Sequence, residues 1–77
     1  MRKLLNLNSQ YRVLDFIMRM EDETDRYVIE DEQGFLRVNA HSITGVLYAS
    51  RDFDNLYLVN CTNDGYFPKF IEEFCND

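Results

Sequence analysis

The apolar residues of this chain switch repeatedly between the spacing of a strand and the spacing of a helix, which limits the folds open to it. Four short runs have the alternation or the β-branched and aromatic content of strands: residues 3–7, 26–31, 35–39 and 56–61. Three segments repeat apolar residues three or four positions apart, as amphipathic helices do: residues 9–20, the residues after Ser42, and residues 66–75. The predicted order in these 77 residues is βαββαβα. With all helices on one face of a four-stranded sheet, this is one two-layer α+β domain over residues 1–77.

Turn and cap residues stand at the predicted boundaries. Asn8 or Ser9 can cap the first helix and Ser42 the second, while Gly34 can take the positive φ of a hairpin turn. A polar loop is predicted over residues 51–55. The apolar side chains expected on the inner face of the sheet are Val13, Phe16, Ile17, Val46, Phe70, Ile71 and Phe74.

Composition and charge narrow the classes of partner. Fourteen acidic residues against eight basic ones leave a net charge of −6, which disfavours nucleic acid and anionic membrane because both need a basic surface. No secretory signal and no membrane-spanning run is found, so a cytoplasmic protein is expected. In a reducing cytosol Cys61 and Cys75 are expected to be buried thiols rather than a disulfide. A single histidine and two distant cysteines give no metal-ligand spacing, so neither a metal nor another cofactor is expected.

The segment from Val38 to Leu47 carries the most specific motif of the chain. A strand ends in Val-Asn, two residues follow, and then a serine opens a short helix, with an apolar residue next and a glycine three places on. This segment resembles the surroundings of the regulatory serine in HPr, the small phosphocarrier of the bacterial sugar phosphotransferase system. Together with the element order, the resemblance implies the HPr fold, an open-faced sandwich with an antiparallel sheet in the order 1-4-2-3. It also implies that Ser42 is a kinase target.

The phosphocarrier motif of that family has no counterpart at the first strand–helix junction. HPr proteins carry the phosphoryl group on a histidine within a His-x-Arg-Pro motif, where a neutral imidazole is the nucleophile and the helix N-terminus stabilises the phosphate. Here residues 8–13 read Asn-Ser-Gln-Tyr-Arg-Val, with no histidine and no proline. Tyr11 lies close to the histidine position, but a phenol is a poor reversible carrier at neutral pH, and Arg12 alone does not restore the motif. We therefore expect no phosphohistidine transfer and no enzymatic activity.

Ser42 has two compatible roles. As a cap it accepts a hydrogen bond from a backbone N–H two or three residues on, which contributes about 1 kcal/mol. As a phosphorylation site it would place phosphate among free N–H groups at the positive end of a helix dipole. His41 either takes phosphate itself or assists its transfer to the serine, or it is a polar turn residue. We prefer the last interpretation because the sequence places no carboxylate or nucleophile to tune it. Gly45 costs the helix about 1 kcal/mol relative to alanine, which a close backbone contact would justify.

The resemblance places a partner-docking patch on the same helix, at Ile43, Thr44 and Leu47. Ile43 and Leu47 fit the apolar pattern of the family, whereas Thr44 is polar where a methionine is common. The pattern alone leaves open whether Ile43 and Leu47 form an exposed partner site or belong to the core.

Three functions are compatible with this sequence. The first is a regulatory or protein-binding module, related to the sugar phosphotransferase system, that has lost phosphohistidine transfer. It would dock a protein partner of carbon metabolism, with an HPr kinase acting on Ser42. The second is a phosphocarrier component of that system that uses another residue. The third is an interaction domain unrelated to sugar transport. Neighbouring genes for a sugar permease or an HPr kinase would favour the first over the third.

Overall fold

The computed structural model describes residues 1–75, and over these the chain forms four strands and three helices. In chain order they are β1 (Arg2–Leu5), α1 (Gln10–Met20), β2 (Tyr27–Glu30), β3 (Arg37–Asn39), α2 (Ile43–Asp52), β4 (Leu56–Asn60) and α3 (Ile71–Cys75). The strands form one antiparallel sheet in the order β1-β4-β2-β3. The predicted α+β fold, an open-faced βαββαβα sandwich with sheet order 1-4-2-3, is confirmed.

The register of the two central strands assigns their side chains to the two faces of the sheet. In β2 and β4, Tyr27 lies opposite Asn60 and Ile29 lies opposite Leu58, and all four side chains are buried. Side chains alternate across a strand, so the residues between them point to the open face. The core therefore lies on one side of the sheet.

Three helices cover that side. The rings of Phe16 in α1 and Phe74 in α3 meet edge to face with centroids 5.4 Å apart, which puts the first and last helices on the same face. α2 contributes Val46 and Ala49, both fully buried. Of the side chains expected on the inner face, all are buried except Phe70, which is half-buried against the same core. None of the helices within residues 1–75 is long and apolar enough to cross a bilayer.

All four strands are shorter than predicted, and in two of them a single hydrogen bond redirects the backbone. β1 ends two residues early, since the N–H of Asn6 donates to the carbonyl of Phe74 instead of continuing the ladder with β4. β3 begins two residues late, since the N–H of Leu36 donates to the buried carboxylate of Asp31 at 2.8 Å. Phe35 is left outside the strand and is exposed.

The second and third helices also differ from prediction at one end. α2 includes the first two residues of the loop predicted over 51–55, and the N–H of Phe53 closes its last turn on the carbonyl of Ala49 at 3.1 Å. α3 begins only at Ile71, whose N–H donates to the carbonyl of Pro68 at 3.1 Å. Pro68, predicted in the first helical turn, therefore lies before the helix, where its missing N–H removes no helical hydrogen bond.

Both cysteines are free thiols, and the prediction that both are buried is wrong for Cys61. Cys61 follows β4 at a position where the alternation turns its side chain to the open face, and it is exposed there. The guanidinium of Arg37 lies 3.6 Å from its Sγ. Cys75 is half-buried, and burial raises the pKa of its thiol.

Candidate functional site

The end of β3 builds the tight turn in which α2 begins. Asn39 Oδ1 accepts a hydrogen bond from the N–H of His41 at 2.9 Å, and the carbonyl of Asn39 accepts from the N–H of Ser42 at 3.0 Å. Ser42 is extended, with φ −86° and ψ 119°, as a residue that precedes a helix usually is. Its Oγ accepts from the N–H of Gly45 at 3.1 Å, and its carbonyl accepts from the N–H of Val46 at 2.9 Å. The predicted Ser42 cap is confirmed.

Gly45 lets the first turn of α2 lie directly against β3. A Cβ at this position would lie 3.3 Å from the Cβ of Val38 and 3.3 Å from both Cβ and Oγ of Ser42. These distances are shorter than the optimal separation of non-bonded carbon atoms. The close contact that would justify a glycine here is present, although side-chain atoms rather than backbone atoms make it.

The hydroxyl of Ser42 is half-buried, and its nearest hydroxyl neighbour is exposed. Thr44 Oγ1 lies 3.3 Å from Ser42 Oγ, and the Thr44 side chain faces solvent. A phosphate on Ser42 would meet the backbone N–H groups of the first turn and this second hydroxyl, at the positive end of the α2 dipole. The helix dipole therefore favours negative charge at this position.

The structure separates the three predicted docking residues. Ile43 is 54% exposed, and Thr44 is also exposed. Leu47 is half-buried and packs against the core. The sequence left open whether these two apolar residues are exposed or belong to the core. Ile43 faces solvent, whereas Leu47 is partly covered by the core and partly exposed.

His41 contacts the acidic loop rather than Ser42. Its Nε2 lies 2.9 Å from the carbonyl oxygen of Asp25, and its ring centroid lies 6.2 Å from that of Tyr27. A carbonyl oxygen can only accept, so the imidazole carries its proton on Nε2 and donates it there. In this arrangement the imidazole joins the loop after α1 to the turn before α2.

At the β1–α1 junction, where HPr proteins carry their histidine, the side chains of Ser9 and Arg12 make hydrogen bonds to the backbone. Ser9 Oγ accepts from the N–H of Arg12 at 3.2 Å and caps α1. The guanidinium of Arg12 donates to the carbonyls of Asn6 at 2.7 Å and Glu73 at 2.9 Å. Arg12 thereby ties α1 to the segment after β1 and to α3. Tyr11 is exposed, so the junction presents a phenol to solvent.

A cavity of about 450 Å³ lies beside this junction, between the end of β1, the loop before β4 and α3. Its polar lining consists of three amides, one hydroxyl, one carboxylate and one thiol: Asn6, Asn8, Asn55, Ser50, Asp54 and Cys75. Because burial raises the pKa of the Cys75 thiol, the thiolate that nucleophilic attack requires is disfavoured. The lining offers hydrogen bonds and no activated nucleophile.

Sequence reasoning missed a second apolar stripe on α1. Tyr11, Leu14 and Met18 are exposed, although they are spaced three and four residues apart like the residues of the core face. The sequence contains a signal for this stripe, because α1 carries more apolar residues than one buried face requires. The buried face is complete without the stripe and consists of Val13, Phe16, Ile17 and Met20.

Comparison with known proteins finds no counterpart: no protein-family model, no curated protein and no solved structure matches this chain. Membership of the HPr family therefore stays a prediction that rests on residues 38–47 and on the order of the elements.

Proposed function

We propose that this chain is a cytoplasmic regulatory and protein-binding module of the HPr type, related to the bacterial sugar phosphotransferase system and without phosphohistidine transfer. One observation carries the proposal: Ser42 caps α2 directly beside Ile43, an apolar side chain that is 54% exposed. A hydroxyl that can be phosphorylated next to an exposed apolar contact is what a switched docking site requires. The partner is a protein of carbon metabolism, and the modifying enzyme is an HPr kinase.

Phosphorylation of Ser42 would change the charge of the docking site without changing the fold. A phosphate adds about −1.5 to −2 charges to a chain whose net charge is −6. The N–H groups and dipole of α2 would stabilise it in place. Ile43, Thr44 and the exposed part of Leu47 would then present an apolar contact beside a strong negative charge, which favours a basic partner surface over an acidic one.

The test is to treat the full chain with an HPr kinase and ATP and to map the phosphate by mass spectrometry. We expect one phosphate, on Ser42, and none in Ser42→Ala. Thr44→Val is the matched control, because its hydroxyl lies 3.3 Å from that of Ser42 and is exposed; this variant should still be labelled. A wild-type chain without label, or Ser42→Ala with label, would contradict the phosphorylation switch and leave Ser42 as a helix cap only.

A second variant separates phosphorylation from capping. Ser42→Ala also removes the cap, which is worth about 1 kcal/mol, so loss of label could reflect partial unfolding. Ser42→Asn keeps a capping oxygen but has no hydroxyl. Circular dichroism should show Ser42→Asn folded like the wild type, and it too should remain unlabelled.

A further inference from the structure

The outer face of α1 exposes apolar side chains that the fold does not need. Tyr11 is 78% exposed, Leu14 is 45% exposed and Met18 is 67% exposed. Residues three and four apart are neighbours on a helix surface, so these three form one continuous stripe. The opposite face of the same helix already fills the core.

α2 runs antiparallel to α1 and lies on the side of Gln10, which neighbours Leu14 of the stripe one turn along the helix. The two helices pack against each other. A concave region of about 500 Å³ is lined by the first turns of α1, at Gln10 and Val13, and by the second half of α2, at Leu47, Ser50 and Arg51. Since the start of α1 meets the end of α2, the Met18 end of α1 lies toward Ile43. We call Tyr11, Leu14 and Met18 of α1, with Ile43 and Leu47 of α2, the two-helix surface.

One end of the two-helix surface is acidic. Glu21 and Asp22 are exposed and directly follow α1 at its Met18 end: Glu21 is the C-cap of the helix, and Asp22 lies in the turn after it. The negative end of the α1 dipole and the positive end of the α2 dipole meet here and oppose each other, so the two exposed carboxylates carry the charge of this end. At the other end the concave region is lined by uncharged Asn8, Ser9 and Gln10 and by Arg51. The two carboxylates therefore lie at one end of the apolar surface, whereas the concave region at the other end is lined by one charged residue, Arg51.

We infer that the two-helix surface binds an amphipathic helix of a partner protein, with apolar residues at helical spacing and Lys or Arg at the end that lies over Glu21 and Asp22. This inference rests on the proposed binding function and specifies the partner. Burial of the exposed apolar side chains supplies affinity, and the acidic end sets the orientation of the bound helix. A helix fits better than a strand, because the surface is made from two helices and offers no unpaired strand edge.

Charge also argues against other occupants of this surface. A second copy would bring together two chains that each carry a net charge of −6, and an anionic bilayer would repel the acidic end. A basic helix is attracted by the same negative charges that repel a second copy of the chain and an anionic bilayer.

The probe for this test is a synthetic peptide of about four helical turns, built from Leu at helical spacing, Ala and Gln, with Lys confined to one end. A matched peptide carries Glu in place of every Lys. Each is titrated into the ¹⁵N-labelled full chain and followed by NMR chemical shifts. We expect saturable shifts on the two-helix surface with the basic peptide, and binding weaker by about tenfold or more with the acidic one.

Two pairs of variants localise the binding. Met18→Gln should weaken binding of the basic peptide by about fivefold to tenfold. Its matched control, Phe35→Gln, removes an apolar side chain that is 85% exposed in the segment before β3 and should leave binding within about twofold. Asp22→Lys should weaken binding by about tenfold. Glu32→Lys makes the same change of net charge at an exposed turn before β3 and should have little effect.

Several results would overturn the inference. These are equal binding of both peptides, binding of neither, shifts confined to the open face of the sheet, wild-type affinity in Met18→Gln, or dimers of the chain detected by sedimentation in place of peptide binding. Phosphate mapping keeps this test separate from the proposed function. A chain that is labelled on Ser42 but binds no helix loses only the helical partner, and a chain that binds the helix but is never labelled loses only the phosphorylation switch.

Discussion

The hydroxyl of Tyr27 is buried without a hydrogen bond, and it is the one buried side-chain polar atom within residues 1–75 in that condition. The Tyr27 side chain itself is fully buried. Burial, with smaller effects from the carboxylates of Glu23 and Asp25, raises the pKa of the phenol to about 12, and the nearby side chain of Asn60 opposes this rise without meeting the geometry of a hydrogen bond. The sequence identified Tyr27 as a strand residue, but its aromatic character alone could not show whether the hydroxyl would find a partner.

Tyr27→Phe is therefore expected to keep or increase stability at pH 7. Removing a buried hydroxyl that has no hydrogen bond removes its desolvation penalty, so the free energy of unfolding should stay the same or rise by up to about 1–2 kcal/mol. Urea denaturation followed by circular dichroism measures this. Tyr48→Phe, at a half-exposed ring, is the control and should change stability by less than about 0.5 kcal/mol. A clear loss of stability in Tyr27→Phe would show that the hydroxyl has a partner.

The same variant should change how stability depends on pH. The pKa of the folded phenol, about 12, lies above its ordinary value of 10.0, so folding favours the protonated form. This contribution is complete below pH 10 and is lost as the pH rises from 10 to about 12, by a total of about 2–3 kcal/mol. Because Tyr27→Phe lacks this contribution, the difference between the two stability curves from pH 9 to 12 isolates it from other titrating groups. If the stability curves of the wild type and Tyr27→Phe stay parallel from pH 9 to 12, the contribution of the Tyr27 phenol is refuted.

At the scale of elements, the end of β4 organises two loops through one amide. Asn60 is buried, and its Nδ2 donates to Asp25 Oδ2 at 2.9 Å and to the carbonyl of Tyr66 at 3.1 Å. Its Oδ1 accepts from the N–H groups of Thr62 at 2.8 Å and Asn63 at 2.9 Å. One side chain thus holds the acidic loop after α1 to the segment that leads into α3.

We expect Asn60→Ala to lower the free energy of unfolding by about 2–4 kcal/mol, because it leaves partly buried N–H and carbonyl groups without partners. Asn63→Ala is the matched control: that side chain is exposed, and its loss should cost less than about 0.5 kcal/mol. Urea denaturation of both variants decides the matter. If Asn60→Ala lowers the free energy of unfolding as little as Asn63→Ala does, the Asn60 side chain does not hold the two loops together.

At the scale of the whole molecule, the overall fold and the side chains of the β1–α1 junction lead to different expectations about function. The chain has the element and sheet order that resemblance to HPr implied, yet the β1–α1 junction uses Ser9 as a cap and Arg12 as a tie to backbone carbonyls. A fold does not by itself imply a function, since function depends on the site.

The chain should therefore accept no phosphate from phosphoenolpyruvate through the general phosphotransferase enzyme, because its junction has no histidine. The measurement is incubation with that enzyme and labelled phosphoenolpyruvate, with an active HPr in a parallel reaction as positive control. Acid-labile label on this chain would show that another residue carries phosphate and would restore the phosphocarrier interpretation.

Local chemistry determined much of the fold. The period of Val13, Phe16 and Ile17 identified the buried side of α1, since a helix repeats its faces every 3.6 residues whatever packs against it. Ser42 was recognisable as a cap because the hydrogen bond to Gly45 N–H spans only three residues. Gly34, with φ +80°, was recognisable as a turn residue because only glycine takes that conformation at little cost.

The tertiary structure alone decided which apolar and polar side chains are covered. Ile43 and Leu47 share one helical pattern, but the first faces solvent and the second packs on the core. Tyr11 and Met18 stay exposed on α1, and Cys61 reaches the open face of the sheet. Periodicity states which residues share a face. Whether that face is buried depends on the position of elements distant in sequence, and that position is settled only when the whole chain packs.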